Sequence, residues 1–162
     1  MKTTGASNNQ NKQRGEWAEM RFMARASEQG LLVSKPWGES CRYDFAVEHD
    51  GKFLRVQVKS TISRKKTSYN YHFSGQPYTR EQIDFVAVYI VPKNVWFIFP
   101  IDVILKNTSN VILSPHLTVS KHGAYKEAWH LLRGERRATH TRRGQTRSVQ
   151  KFAECRPRRT EN

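Results

Sequence analysis

Hydrophobic and polar positions alternate with a period of two along Tyr43-Asp44-Phe45-Ala46-Val47 and again along Phe53-Leu54-Arg55-Val56-Gln57-Val58-Lys59, the pattern of strands that bury one face. Between them stands Glu48-His49-Asp50-Gly51-Lys52, and Asp-Gly between two alternating runs is a strong hairpin signal. With Asp50 and Gly51 at the centre of a two-residue turn, facing residue numbers sum to 101. Asp44 then faces Gln57, Phe45 faces Val56 and Val47 faces Leu54. One side of the hairpin carries Phe45, Val47, Leu54, Val56 and Val58. The other carries Asp44, Gln57 and Lys59, with the Cβ atoms of Asp44 and Gln57 about 5 Å apart. A slip of one residue scatters both sets, so the register is tightly specified.

Upstream, Glu19, Phe22, Met23 and Ala26 recur at helical spacing and predict an amphipathic helix that ends in a turn at Gly30-Leu31-Leu32-Val33. Downstream, 84–91 is nearly continuous in apolar residues, as a strand covered on both faces is. Pro92-Lys93-Asn94 turns it into a second strand, Val95–Phe99, and Pro100 opens a short helix over 101–105. Tyr69, Tyr71, His72 and Phe73 alternate as a strand does. Val111-Ile112-Leu113 and Leu117-Thr118-Val119 are further short strand candidates, and Tyr125, Ala128, Trp129 and Leu132 mark a closing helix. The coarse order is helix, three strands, short helix, two strands, helix. That order predicts an α/β sandwich around a mixed central sheet. Residues 1–11, rich in Asn, Thr and Ser, are expected to be loose; 12–133 form one domain; 134–162 are a tail.

Charge changes the picture. Among 162 residues, 28 Lys and Arg stand against 14 acids, a net of +14, the electrostatic footprint of a nucleic-acid binder. From Arg133 to Asn162 ten basic residues face three acidic ones, a net of +7. This tail is too polar to fold alone, and its basic residues, Arg142 and Arg143 among them, suit phosphates, the plainer alternative being a solubilising segment. Arg64-Lys65-Lys66, beside aromatic neighbours, reads either as a contact to substrate backbone or as an ordinary exposed loop. No apolar run approaches the ~20 residues of a membrane span, and no signal peptide is evident. The expected location is therefore the cytoplasm, at the bacterial nucleoid. Cys41 and Cys155 form no framework, and the six histidines show no zinc spacing. His116 and His122 are expected at turns or on the surface, and Trp96 and Trp129 in the core.

An acid, an amide and an amine on one sheet face suit a hard cation, which takes carboxylate and carbonyl oxygens. The plainer reading is a solvated polar face. Glu19 lies on an apolar stripe, where a carboxylate needs a partner. That partner is either a metal with its water or a basic side chain such as Lys59. Glu16 reads as a first-turn charge favoured by the helix dipole.

Asp44 followed across a hairpin by Gln57-Val58-Lys59 resembles the core of the PD-(D/E)xK nucleases. Gly15-Glu16-Trp17-Ala18-Glu19 and the later Gly30 are similar to the opening of archaeal Holliday junction resolvases. Lys35-Pro36-Trp37-Gly38-Glu39-Ser40, Arg55 to Thr61, and Ile83 to Tyr89 followed by Trp96-Phe97-Ile98-Phe99-Pro100 are most similar to the homing endonucleases of group I introns, which carry Gln in place of the usual acid. The likeness spans roughly residues 12 to 105. It implies a restriction-endonuclease-like fold and hydrolysis of double-stranded DNA with Mg²⁺, or alternatively Mn²⁺. By the same resemblance Asp44 is the principal metal ligand, Gln57 a second through its carbonyl oxygen, and Glu19 an outer ligand, while Lys59 positions water. Cutting both strands with one site per chain implies a homodimer or homotetramer. Two departures are Tyr43 where the family has Pro, and Gln57, which brings no negative charge. A structure-specific junction or repair nuclease and a catalytically inactive nucleic-acid-binding relative are the alternatives.

Overall fold

Asp50 and Gly51 both adopt positive φ, 47° and 71°, as the two central residues of a type I′ hairpin turn must. The computed structural model describes residues 4–38, 40–72, 78–106, 110–117 and 119–133, without the side chains of 4–8, 49 and 52. Around that turn β2 (Phe45–His49) pairs with β3 (Lys52–Thr61) in the register the alternation predicts: Phe45 with Val56, Val47 with Leu54, His49 with Lys52.

The remaining strands are β1 (Leu32–Ser34), β4 (Arg64–Lys65), β5 (Ser68–His72), β6 (Phe85–Ile90), β7 (Val95–Pro100) and β8 (Asn110–Leu113), with helices α1 (Thr4–Glu28) and α2 (Ile101–Leu105). They form a mixed five-stranded sheet in the order β1-β2-β3-β6-β7 and a three-stranded sheet in the order β4-β5-β8. Among the described residues only β3 and β6 pair in parallel. Seven described strands precede α2 where the coarse order has three; of these, β1 and β4 are too short to leave a periodic signature.

Alternation along β6 divides the core. Ala87 and Tyr89 face the layer containing α1, while Val86, Val88 and Ile90 face the layer containing the small sheet and α2. A strand so covered has no polar face to show, which explains its continuous apolar run. On α1, Ala18, Phe22 and Ala26 are buried one turn apart, and Phe22 packs its ring against Phe45, Trp96 and Trp129 at 5.3–5.7 Å. Replacing Phe22 by Ala costs about 3–5 kcal/mol at such a site. The helix ends at Gly30 (φ 73°), with Leu31 N–H on Ala26 O (3.1 Å) and Gly30 N–H on Ser27 O (2.8 Å), the paired bonds of a Schellman cap. Arg55 on β3 binds Asp84 through two guanidinium bonds (2.9 and 3.0 Å) and so pins the start of β6.

Several expectations are corrected. Residues 4–11 continue α1 and are not loose, since each residue added to a helix anchored by packing gains a backbone bond without a new nucleus. Glu16 therefore lies in mid-helix, far from the first turn, and Met23 is exposed because the buried line follows a four-residue spacing. No single helix spans 125–132. Lys126 bridges to Phe97, Glu127 takes φ 49°, and short 3-10 turns flank it. The Glu127 carboxylate accepts Trp96 N–H and Trp129 Nε1–H, both at 2.8 Å. Satisfying that edge-strand donor prevails over helical periodicity. Leu117 closes a turn on Ser114 (3.2 Å) and is exposed, not in a strand. His116 and His122 both sit in turns as expected, His116 exposed and His122 buried, with its Nδ1 3.0 Å from Ile112 O and its ring edge-on to Phe99. Among the described residues no helix is long and apolar enough to cross a membrane. The expected tail, 134–162, lies outside the described residues.

Candidate active site

Asp44 directly precedes β2 and extends its ladder by one bond, Asp44 N–H to Val56 O at 3.0 Å. Its side chain therefore meets Gln57 across the strand pair, as the register requires. Asp44 Oδ2 accepts hydrogen bonds from Gln57 Nε2 and from Val58 N–H (2.6 Å). Both bonds fall on one carboxylate oxygen, leaving Oδ1 for another partner, and with Nε2 engaged the Gln57 carbonyl oxygen is likewise released from Asp44. Lys59 follows on the same face, its Nζ 5.9 Å from the Tyr78 ring centroid.

Glu19 reaches these residues from α1. A cleft of about 280 Å³ is lined by Gly15, Glu19, Asp44, Gln57, Lys59 and Tyr71, among others. An adjoining cleft of about 330 Å³ shares Gly15, Glu19 and Asp44 and adds Lys35 and Cys41. All four residues that the sequence singles out thus converge. The partner of Glu19 is Lys35, at 2.8 Å, and not Lys59.

Burial dominates the electrostatics. It pushes the Asp44 carboxyl up to about 6; the Val58 N–H bond opposes this, Glu19 adds to it, and Lys59 and Lys35 pull it down. The hydrogen bond it donates to Glu19 raises the Lys35 ammonium above its ordinary value, so it is a full cation. Burial also raises the Tyr71 phenol, which stays neutral. The site is a partly desolvated carboxylate pair ringed by cations.

Other candidates lie elsewhere. Arg64, Lys65 and Lys66 form an exposed hairpin end, with Lys66 at φ 55° and Arg64 Nε on Lys66 O at 2.7 Å. Ser68, where β5 leaves that end, is three residues from the cleft residue Tyr71, roughly 10 Å of strand, and none of the three basic residues lines the cleft. Arg142 and Arg143 lie outside the described residues. Trp37 is fully exposed. Sequence reasoning missed Lys35 and Tyr71 as members of the site. Lys35 follows a three-residue edge strand and nothing in its spacing pairs it with Glu19. Tyr71 arrives from a second sheet whose docking no local pattern encodes.

The sequence profile of the PD-(D/E)XK endonucleases matches residues 9–132, and the chain belongs to that family of nucleases. Its mixed five-stranded sheet with flanking helices is the restriction-endonuclease-like fold. Among solved structures it is similar to the bacterial homing endonuclease I-Ssp6803I, with 28% identity and a TM-score of 0.68, covering 76% of this chain and 93% of that one. The Holliday junction resolvase Hjc of the archaeon Archaeoglobus fulgidus has 17% identity and a TM-score of 0.46, covering 62% and 84%. No curated protein matches.

Proposed function

We propose that the protein is a Mg²⁺-dependent endonuclease of the homing type, which hydrolyses phosphodiester bonds in double-stranded DNA. Convergence of Asp44, Gln57, Lys59 and Glu19 on one cleft supports this above all. The donor set fits a hard divalent cation: two carboxylates and an amide oxygen suit Mg²⁺ or Mn²⁺, with water and a substrate phosphate completing the shell. The raised Asp44 carboxyl fits too, since its buried negative charge is what a cation relieves. Nucleases of this family generally use divalent metals. Asp44, Gln57 through its carbonyl oxygen, and Glu19 would hold the ion, which when bound supplies Lewis-acid stabilisation of charge on the phosphoryl oxygens.

The chain's own groups do the rest. Lys59 Nζ donates hydrogen bonds that orient the attacking water and balance charge growing on phosphate. Val58 N–H holds the Asp44 carboxylate in place. Tyr71, neutral, walls the cleft and offers a hydroxyl donor. Exposed Arg64, Lys65 and Lys66, with the basic tail that includes Arg142 and Arg143, contact phosphates outside the cleft. Two copies of the chain, as a homodimer or within a homotetramer, cut the two strands.

A random-sequence duplex library and four-way junctions, each incubated with Mg²⁺ and with EDTA, test this. Duplex cleavage at a defined sequence in Mg²⁺ alone is expected. Cleavage confined to junctions would make it a structure-specific nuclease, and no cleavage an inactive binding relative. Gln57→Glu should lower the Mg²⁺ needed and Gln57→Leu should abolish the response; normal cutting by Gln57→Leu removes Gln57 from the ligand set.

A further inference from the structure

A third groove, also of about 330 Å³, adjoins the catalytic cleft and shares Arg14, Ser60 and Tyr71 with it. It runs along the seam between the end of β3 and the small sheet, past Thr61, Ser63 and Asn70. Two of its side chains carry a polar atom shut away from water with no hydrogen-bond partner among the described residues: Nε of Arg14 and Oδ1 of Asn70. Folded chains rarely tolerate such atoms, and here the two residues that carry an orphaned donor and an orphaned acceptor line one groove.

Asn70 is held firmly. Its N–H donates to Ser63 O (3.0 Å) and its carbonyl accepts from Thr61 Oγ1 (2.7 Å), which also accepts Ser63 N–H (3.1 Å). On the other side it pairs with Ile112 in β8. An acceptor on so fixed a backbone is preorganised for one direction of approach. Arg14 stands on α1 directly before Gly15, where an added Cβ would meet nothing within 4 Å, so the helix surface between groove and cleft is open to a close neighbour. None of the described residues lining the groove is acidic. An arginine fork, hydroxyls and no carboxylate favour a phosphate. A rigid carbonyl oxygen favours an N–H donor, such as the amino group at the edge of a base.

We propose that this groove is a nucleotide subsite for the strand being cut. Arg14 holds the phosphate neighbouring the scissile one, and Asn70 Oδ1 accepts a hydrogen bond from the base of that nucleotide. The proposal rests on the nuclease reading of the adjoining cleft, and it makes Asn70 a specificity-determining residue at one position of the target.

Binding of the full-length protein to duplex DNA in EDTA, measured by fluorescence anisotropy over a range of salt, separates the subsite from catalysis. Arg14→Gln should weaken binding to every sequence and flatten the slope of log affinity against log salt by about 0.9, the value for one phosphate no longer neutralised. Selection from a random library should then show preference lost at a single base position in Asn70→Leu and in Asn70→Ser, whose hydroxyl stops short of the Oδ1 position, and kept in Asn70→Asp, which retains an acceptor at that position. If the wild type cuts no DNA but these shifts in binding appear, the groove stands as a nucleotide-binding subsite and the nuclease reading falls. If the wild type cuts while Arg14→Gln keeps the full salt slope and Asn70→Leu and Asn70→Ser both select the original sequence, the subsite is overturned and the nuclease reading stands.

Discussion

The Lys35 ammonium stands 2.8 Å from Glu19 Oε2, at a cleft that Asp44 also lines. A protein cation there would compete with the proposed metal ion for the same carboxylate. Lys35→Met should therefore lower the Mg²⁺ concentration for half-maximal binding several-fold, read by isothermal titration calorimetry. Stability should change little, since the pair is largely exposed on the lysine side and such bridges contribute about 0–1 kcal/mol. Weaker Mg²⁺ binding in the variant would mean that Lys35 assists the site instead of competing for it.

Asp44→Asn should abolish metal-dependent cleavage while the fold persists, because the amide keeps the shape and an oxygen for Val58 N–H. Lys59→Ala should slow cleavage by about 10²-fold or more, as loss of a charge-stabilising donor commonly does. Single-turnover rates at saturating Mg²⁺ check both. Full activity in either variant removes that residue from the chemistry.

Asp44 also makes a pH prediction. Its carboxyl is raised from 3.8 to about 6, chiefly by burial, so the folded chain holds this proton more tightly than the unfolded one. Stability from that proton is fully present below pH ~3.8 and is lost as pH rises through about 6. Added Mg²⁺ should reverse the sign, because an ion held by Asp44 needs the ionised carboxylate. The rise in Tm caused by Mg²⁺ should thus be large at pH 7.5 and small at pH 5, and should vanish at both in Asp44→Asn. An equal Mg²⁺ effect at both pH values would dissociate Asp44 from the metal.

Gly15 lies inside α1 and lines both clefts, with no neighbour within 4 Å of an added Cβ. Nothing in the packing of the described residues accounts for a glycine there, and Ala in a helix interior is better by about 0.5–1 kcal/mol. Gly15→Ala should raise Tm and yet reduce DNA affinity, because its methyl group would stand in the proposed path of the substrate. A variant both more stable and equally tight in binding would show that the space above Gly15 is not used.

How far the site is legible in sequence depends on the range of the interaction. Asp44, Gln57 and Lys59 were readable because Asp50-Gly51 sets a two-residue turn, and the side-chain period of two leaves a single register that buries Phe45, Val47, Val56 and Val58. Local periodicity failed where tertiary bonding prevails. At Glu127, capping the Trp96 N–H and the Trp129 indole interrupts a helical pattern that Tyr125, Ala128, Trp129 and Leu132 otherwise satisfy.

Sequence alone determined the hairpin, the doubly covered strand β6, the buried line of α1 in outline, and the basic character of the chain, because each rests on spacing within one segment or on simple charge. Tertiary structure alone decided that Glu19 is paired by Lys35, that Tyr71 closes the cleft from a second sheet, and that Arg14 and Asn70 share a groove. Those pairings join residues 16 to 56 positions apart. They follow from how the two sheets and α1 pack against one another, and no local period records that packing.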